Sequence, residues 1–376
     1  MRRLILPLLL LSLSLPLRAQ PDGEKITNGV LDYLHPSVGL FTLPDGECSA
    51  TLIGCRTMLT AAHCVCGDNL GGVECAARPD LVSPAGKSLF FQHAGSFALS
   101  GIAVSPAYNR YTGASDLAIL HLAEPVTGIA PSPLNRTDRP LLGMMGEIVG
   151  FGSTRTNSLD DGIKRRGFVK TAPCDPAAPG FVCWNFRKPV EAPGTNSDTC
   201  YGDSGGPLFL SIGGQTVLAG VTSSGTNPEC APADNSFDAD VLTDLAWIDE
   251  EGGADLDSTS CGEGPQIGGP GTRVTGTILS LTRRQAVKYS SVEVPAGTAE
   301  LRVSLLTADG FHNGNALYLR HGAPASRKAF DCKADAIRGQ QYCQILNPAP
   351  GTWSILVVHL TNSGSSVQVT STLIGR

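Results

Sequence analysis

Charge is scarce in this chain: Asp, Glu, Lys and Arg make up 16% of its 376 residues, and aromatic side chains only 6%. Lys and Arg form no cluster, and the formal net charge is −6. Nucleic-acid binding draws on a basic stripe that neutralises phosphates, so that class of partner is excluded. Beyond residue 17 no apolar run is long enough to span a bilayer, so no membrane span is expected in the mature protein. There is no internal repeat and no low-complexity tract. No acidic cluster has calcium-site spacing, and Cys64-Val65-Cys66 is spaced wrongly for a structural zinc site. No metal and no cofactor are therefore expected.

What the chain does have is cysteine, glycine and proline, at 12, 44 and 26 residues. Twelve cysteines suit an oxidising compartment outside the cytosol. The N-terminus fits: Met1-Arg2-Arg3, a Leu-rich run from Leu4 to Leu17, then Arg18-Ala19-Gln20 read as a secretory signal over 1–19. Losing Arg2, Arg3 and Arg18 moves the charge from −6 to −9, and losing Asp22, Glu24 and Lys25 returns it to −8. The chain is also too long for one ordinary domain. Short apolar runs alternate with turn clusters up to Glu250, the pattern of an all-β domain. Leu117–Leu122, Glu147–Phe151 and Thr216–Thr222 read as strands, and Asp240–Ile248 has helical spacing. Residues 251–272 are rich in Gly, Asp, Ser and Pro and read as a flexible linker. From 273 to 376, alternating runs (Glu300–Leu305, Ala316–Leu319, Ser354–His359, Val367–Leu373) suggest a small β-sandwich.

Three short stretches carry the chemistry. Thr199-Cys200-Tyr201-Gly202-Asp203-Ser204-Gly205-Gly206-Pro207 offers a serine, Leu59-Thr60-Ala61-Ala62-His63-Cys64 a histidine, and Ser115-Asp116-Leu117-Ala118-Ile119-Leu120 an acid. A serine alcohol needs a neighbouring imidazole to take its proton, and the imidazole needs a carboxylate to fix its tautomer. The order His, Asp, Ser separates this set from the other known triad orders. Among the other histidines, His121 reads as a structural or surface residue, His93, His312, His321 and His359 lack partners at ligand spacing, and Asp160-Asp161 reads as a solvated turn.

At these residues the chain resembles a trypsin-like member of the chymotrypsin family of serine endopeptidases, over roughly 26–250. The resemblance implies two packed β-barrels, with His63, Asp116 and Ser204 as the triad and the backbone N–H groups of Gly202 and Ser204 as the oxyanion hole. It implies disulfides Cys48–Cys64, Cys174–Cys183 and Cys200–Cys230. It implies a short propeptide over 20–25, cut after Lys25 so that the new ammonium on Ile26 meets Asp203. Asp198 matches the position that floors the pocket for a basic side chain, and Ser223 and Gly225 match the segment that pairs with the substrate strand. Two departures put the pocket's depth in question: Ser224 stands where family trypsins carry Trp, and Ser236 replaces a pocket-lining glycine. A blocked pocket would give relaxed or chymotrypsin-like specificity. The stretch Cys66–Cys75 resembles no family element and reads as an inserted loop closed on itself, while Cys261 has Cys55 as the leftover candidate partner.

The C-terminal part, with Ala316-Leu317-Tyr318-Leu319-Arg320-His321-Gly322-Ala323-Pro324, Asp331-Cys332, Cys343 and Pro350-Gly351-Thr352-Trp353, resembles the bacterial pre-peptidase C-terminal domain. That implies a Cys332–Cys343 disulfide and a bacterial source. Asn315-Ala316 replaces an acid common in relatives. The expectation is a monomeric secreted protease, periplasmic or extracellular, acting on proteins or peptides, whose tail domain contacts a surface or polysaccharide. A binding protein with incidental catalysis is the competing reading.

Overall fold

The computed structural model describes residues 26–67, 69–188, 190–310, 312–336 and 339–375. The signal segment 1–19, the propeptide 20–25 and with it Lys25 lie outside the described residues. In chain order the strands are β1 (Val30–Leu31), β2 (Val38–Leu43), β3 (Gly46–Leu52), β4 (Thr57–Thr60), β5 (Ser88–Phe91), β6 (Gly95–Val104) and β7 (Ala118–Leu122). Strands β2-β3-β4-β7-β6-β5 close into a barrel. Its interior is filled by β-branched, leucine and phenylalanine side chains such as Leu40, Leu52, Leu59, Phe91 and Ile119, all buried.

A second set follows: β8 (Met145–Gly150), β9 (Arg165–Ala172), β10 (Phe181–Phe186), β11 (Pro207–Ile212), β12 (Gln215–Gly225) and β13 (Asp234–Asp240). The order β9-β10-β13-β12-β11-β8, with β8 also paired to β9, closes a second six-stranded barrel, and β1 adds at the edge of β9. In β9 every second residue, Arg165, Gly167, Val169 and Thr171, is buried, as the strand period of two requires. The chain is thus all-β, with two barrels like the chymotrypsin fold followed by a sandwich, as the sequence suggested. The expected helix is displaced: Asp240 ends β13, and α3 runs Leu245–Gly252.

The segment 251–272 is not the flexible linker its composition suggested. A 3-10 turn, Gly253–Asp257, continues α3. Asp255 there accepts the backbone N–H groups of Cys55 and Arg56 and the Thr57 hydroxyl at 2.8–3.1 Å. Cys261 is fully buried and bonded to Cys55. Turn-forming composition signals irregular backbone, and here that backbone is held down by side-chain contacts rather than by an element of its own.

The C-terminal domain stacks the sheet β14 (Thr272–Leu281), β21 (Ser365–Gly375), β16 (Thr298–Thr307), β19 (Gln341–Leu346) on the sheet β15 (Val287–Val294), β20 (Gly351–His359), β17 (Asn315–His321), β18 (Cys332–Ala334). Leu301, Val303, Leu317, Leu319, Trp353 and Ile355 meet between them. Cys332–Cys343 joins one sheet to the other. Asn315 is buried, and its Oδ1 lies 2.9 Å from His359 Nδ1.

This domain lies directly against the barrels. Gln92 donates to Thr370 Oγ1 at 2.9 Å, His93 pairs with Thr372 at 2.8 Å, and Gln368 bridges the backbone of Asp32 and Lys164 at 2.9 and 3.0 Å. Arg302 donates to the His93 carbonyl at 3.1 Å. Two glycines make room for aromatic rings across the seam: a Cβ on Gly95 would sit 2.7 Å from Tyr342, and one on Gly276 would collide with Tyr33.

Candidate active site

The histidine is delivered by β4, which runs straight into a short helix, α1 (Ala62–Cys66). The Cys48–Cys64 disulfide fastens that helix to β3. Asp116 sits just ahead of β7, 2% exposed, after Ser115 has turned the chain through a positive φ of 52°. It holds His63 at two points: Oδ1 accepts the backbone N–H at 2.8 Å and Oδ2 faces ring Nδ1 at 2.7 Å. Ser223 Oγ donates to the same Oδ2 at 2.7 Å. A carboxylate facing Nδ1 fixes which ring nitrogen carries the proton and how the ring is oriented.

Ser204 lies on the connection between β10 and β11, both strands of the second barrel, and this connection reaches over to touch the first. Its carbonyl accepts the Ser49 N–H at 2.8 Å, and Gly205 N–H donates to the Thr222 carbonyl at 2.8 Å. The approach is so close that a Cβ on Gly205 would stand 2.1 Å from Thr60 Oγ1. His63, Asp116, Ser204, Ser223 and Gly225 line one cavity of about 550 Å³, together with Tyr108, Tyr111, Cys200, Cys230 and Asp234. The sulfurs of Cys48 and Cys64 and a His63 ring nitrogen lie within 4.8 Å of one another, but the disulfide leaves no thiolate there for a metal.

Gly202 adopts φ +94°, the left-handed region, and a Cβ there would stand 2.9 Å from Gly152 Cα. Only glycine takes this conformation without strain. Asp203 is buried beneath the loop and accepts the N–H groups of Gly152 and Cys200 at 2.8 and 2.9 Å. Burial pushes its carboxyl up to about 7 in spite of those two donors and the nearby Arg165 guanidinium. Ile26, at φ 36°, is fully buried among Ile148, Val182, Trp184 and Leu208, and Thr27 bridges to Asp198.

The pocket side holds more acid than the sequence reading supplied. Asp198 is fully buried; its Oδ1 accepts the Ser236 hydroxyl at 2.6 Å and its Oδ2 has no partner among the described residues. Burial and then the charge of Asp234 hold the Asp198 carboxyl well above its ordinary range. Ser236 pairs with Gly225 across β12 and β13, while Ser224 is exposed opposite Phe237. Asp234 and the buried Asp238 were not singled out from sequence, because each becomes a pocket neighbour only through the β12–β13 pairing. Alternation along β13 was the available signal. Asp160 and Asp161 also depart from expectation. They are partly buried, with Asp160 3.5 Å from the Arg165 guanidinium, because the following strand turns them inward toward that cation. The remaining disulfides are Cys66–Cys75, Cys174–Cys183 and Cys200–Cys230, the last framing the pocket mouth.

Comparison with known proteins fits this geometry. The Trypsin family model matches residues 31–248, more than half of the chain, and the bacterial pre-peptidase C-terminal domain model matches 286–359. Vitamin K-dependent protein C of Mus musculus is 29% identical over 254 residues, covering 61% of this chain, and the chain spans about half (52%) of that protein. Fibrinolytic enzyme isozyme C of Lumbricus rubellus is 30% identical over 222 residues, covering 54% of this chain and 87% of that protein. A trypsin of Saccharopolyspora erythraea is 28% identical over 198 residues, covering 51% and 82%. Among solved structures, neuropsin, a serine protease of the mouse limbic system, aligns with a TM-score of 0.47 at 21% identity, covering 59% of this chain and 98% of that one. The chain belongs to the trypsin family of serine proteases and carries a bacterial pre-peptidase C-terminal domain behind its protease domain.

Proposed function

We propose that the protein is a secreted endopeptidase, made as a zymogen, that cuts peptide bonds after Arg or Lys. The observation that carries this reading is the His63 Nδ1–Asp116 Oδ2 contact of 2.7 Å on the wall of the cavity that also holds Ser204. Ser204 Oγ attacks the scissile carbonyl while His63 takes its proton, and the carbonyl oxygen becomes an oxyanion received by the N–H groups of Gly202 and Ser204. Such donors are worth about 2.7–4 kcal/mol each to the transition state. His63 then protonates the leaving amine, an acyl-enzyme remains on Ser204, and water activated by His63 releases the acid. Asp116 holds the ring and stabilises the imidazolium.

Cleavage after Lys25 would free an ammonium on Ile26 to pair with Asp203. A buried carboxylate without a matched cation is costly, which is why its protonation is favoured up to about pH 7 before that pairing. Lys25 itself would suit the enzyme's own specificity and so allow autoactivation. Six disulfides support an oxidising destination. No helix among the described residues is long and apolar enough to cross a membrane. A tail-domain contact with a surface or polysaccharide belongs to this proposal as well, as does action as a monomer. The test is turnover of matched peptide amides ending in Arg, Lys, Phe, Leu or Ala by precursor treated with trace trypsin and then freed of it. Turnover confined to Arg and Lys, absent from Ser204→Ala, is the expected result. Turnover of Phe or Leu instead would favour the relaxed-pocket reading that Ser236 raises.

A further inference from the structure

The substrate cavity beside Ser204 is walled by Thr199, Cys200, Thr222, Gly225, Cys230 and Asp234, while Asp198 and Ser236 are not among its lining residues. Asp198 and Ser236 are both fully buried, and the Ser236 hydroxyl donates to Asp198 Oδ1 at 2.6 Å. Asp234 is placed differently. A Cβ on Gly225 would stand 2.6 Å from Asp234 Oδ2, so that oxygen lies against the bare glycine on the pocket wall. Its other oxygen is anchored from the opposite side: Oδ1 accepts the N–H groups of Thr226 and Asn227 at 2.6 Å each and the Thr226 hydroxyl at 2.9 Å. These donors fix the carboxylate's orientation and present Oδ2. The Ser236 hydroxyl lies 2.6 Å from Asp198 Oδ1 and 3.1 Å from Asp234 Oδ2. It has one hydrogen, and the shorter contact takes it; the Asp198 carboxyl also hydrogen-bonds Asp234, and a carboxylate oxygen has a further lone pair with which Asp234 can accept from the pocket.

We propose that Asp234, rather than Asp198, is the carboxylate that receives the basic side chain of the substrate, with Asp198 and Ser236 acting behind it as positioning residues. This rests on the specificity for Arg or Lys proposed above. The incoming ammonium or guanidinium donates to Asp234 Oδ2 through the gap left by Gly225. The Cys200–Cys230 disulfide sets the width of the approach.

The test compares Asp234→Asn and Asp198→Asn with the activated wild type in three readouts. These are kcat/KM on Arg and Lys peptide amides, competitive inhibition by benzamidine, and the rate of phosphorylation of Ser204 by diisopropyl fluorophosphate, which releases fluoride and needs no basic side chain. Expected for Asp234→Asn is a loss of roughly 100-fold or more in kcat/KM and in benzamidine affinity, the scale for removing one member of a desolvated charge pair, with Ser204 phosphorylation near wild type. Asp198→Asn is expected to keep both within about tenfold, the scale of a hydrogen bond to a neutral group. The opposite pattern, with basic-residue turnover lost in Asp198→Asn and kept in Asp234→Asn, overturns the proposal. If Asp234→Asn fails to fold, benzamidine binding by Asp198→Asn decides: retained, it supports Asp234; lost, it rejects it. Failure of the specificity reading itself looks different, since the wild type would then be phosphorylated on Ser204 at a normal rate yet ignore Arg and Lys amides and benzamidine.

Discussion

At Gly202 a methyl group would meet both a strained backbone and a close neighbour. At φ +94°, with Gly152 Cα 2.9 Å from where a Cβ would stand, Gly202→Ala must shift the loop whose N–H groups are proposed to receive the oxyanion. Losing such a donor costs about 10²–10³ in kcat. Gly202→Ala is therefore expected to lower kcat on a peptide amide by that factor with KM nearly unchanged, checked by steady-state kinetics. A KM effect alone would mean that the loop binds substrate without stabilising its oxyanion. The residues proposed for the triad stand out at this scale because each lies in a local motif. Asp234 does not: sequence marks Ser236, two residues on, and Asp234 reaches the cavity wall only when Gly225 and Ser236 become partners across β12 and β13.

Between elements, the strands β1, β8 and β9 and the turn after β1 enclose a network of charge. His35 contacts Asp32 at 3.0 Å and Glu147 at 3.3 Å; Arg166 holds Glu147 at 2.6 Å; Lys164 lies 3.7 Å from Asp32. Burial alone would lower the His35 pKa, but its hydrogen bonds to the two carboxylates and their charges raise it to about 9. The folded state then keeps a proton that the unfolded state loses above about 6.5. Stability from this group is full below that pH and is lost as pH rises toward 9. His35→Gln is expected to be less stable than wild type by on the order of 2–3 kcal/mol at pH 6, since one pKa unit corresponds to about 1.36 kcal/mol. The difference should shrink steadily to pH 9.5, as read by urea unfolding at each pH. A constant difference across the range would assign His35 a packing role only, against Phe209, on which its ring stacks. None of this network could be read from the sequence. Asp32 and His35 are near neighbours in a turn, but Glu147, Lys164 and Arg166 reach them only through barrel closure.

At the scale of the whole molecule, the tail domain covers groups that the barrels cannot leave bare. Gln92, His93 and Lys164 are buried, and their bonds to Thr370, Thr372 and Gln368 all come from β21. Alternation and turn composition announced both β domains, yet composition alone suggested that a flexible linker would let them move apart. Cys55–Cys261 and the Asp255 contacts shorten that link, and the buried polar seam does the rest. Each such hydrogen bond is worth about 1 kcal/mol, and leaving its partner buried and unpaired costs more. A chain ending at Gly271 is expected to melt about 10 °C or more below the full-length protein, at 2–4 °C per kcal/mol for a domain of this size, measured by calorimetry. An unchanged Tm would make the tail an independent module.

The proposed chemistry rests on one serine, Ser204. The measurement that tests this most directly is mass-spectrometric mapping of diisopropyl fluorophosphate adducts on the activated protein, beside His63→Ala and Ser204→Ala. A single diisopropylphosphoryl group on Ser204 in the wild type, absent from both variants, is the predicted result. Labelling that persists in His63→Ala at the wild-type rate, or that falls on another residue, would contradict a Ser204 nucleophile activated by His63.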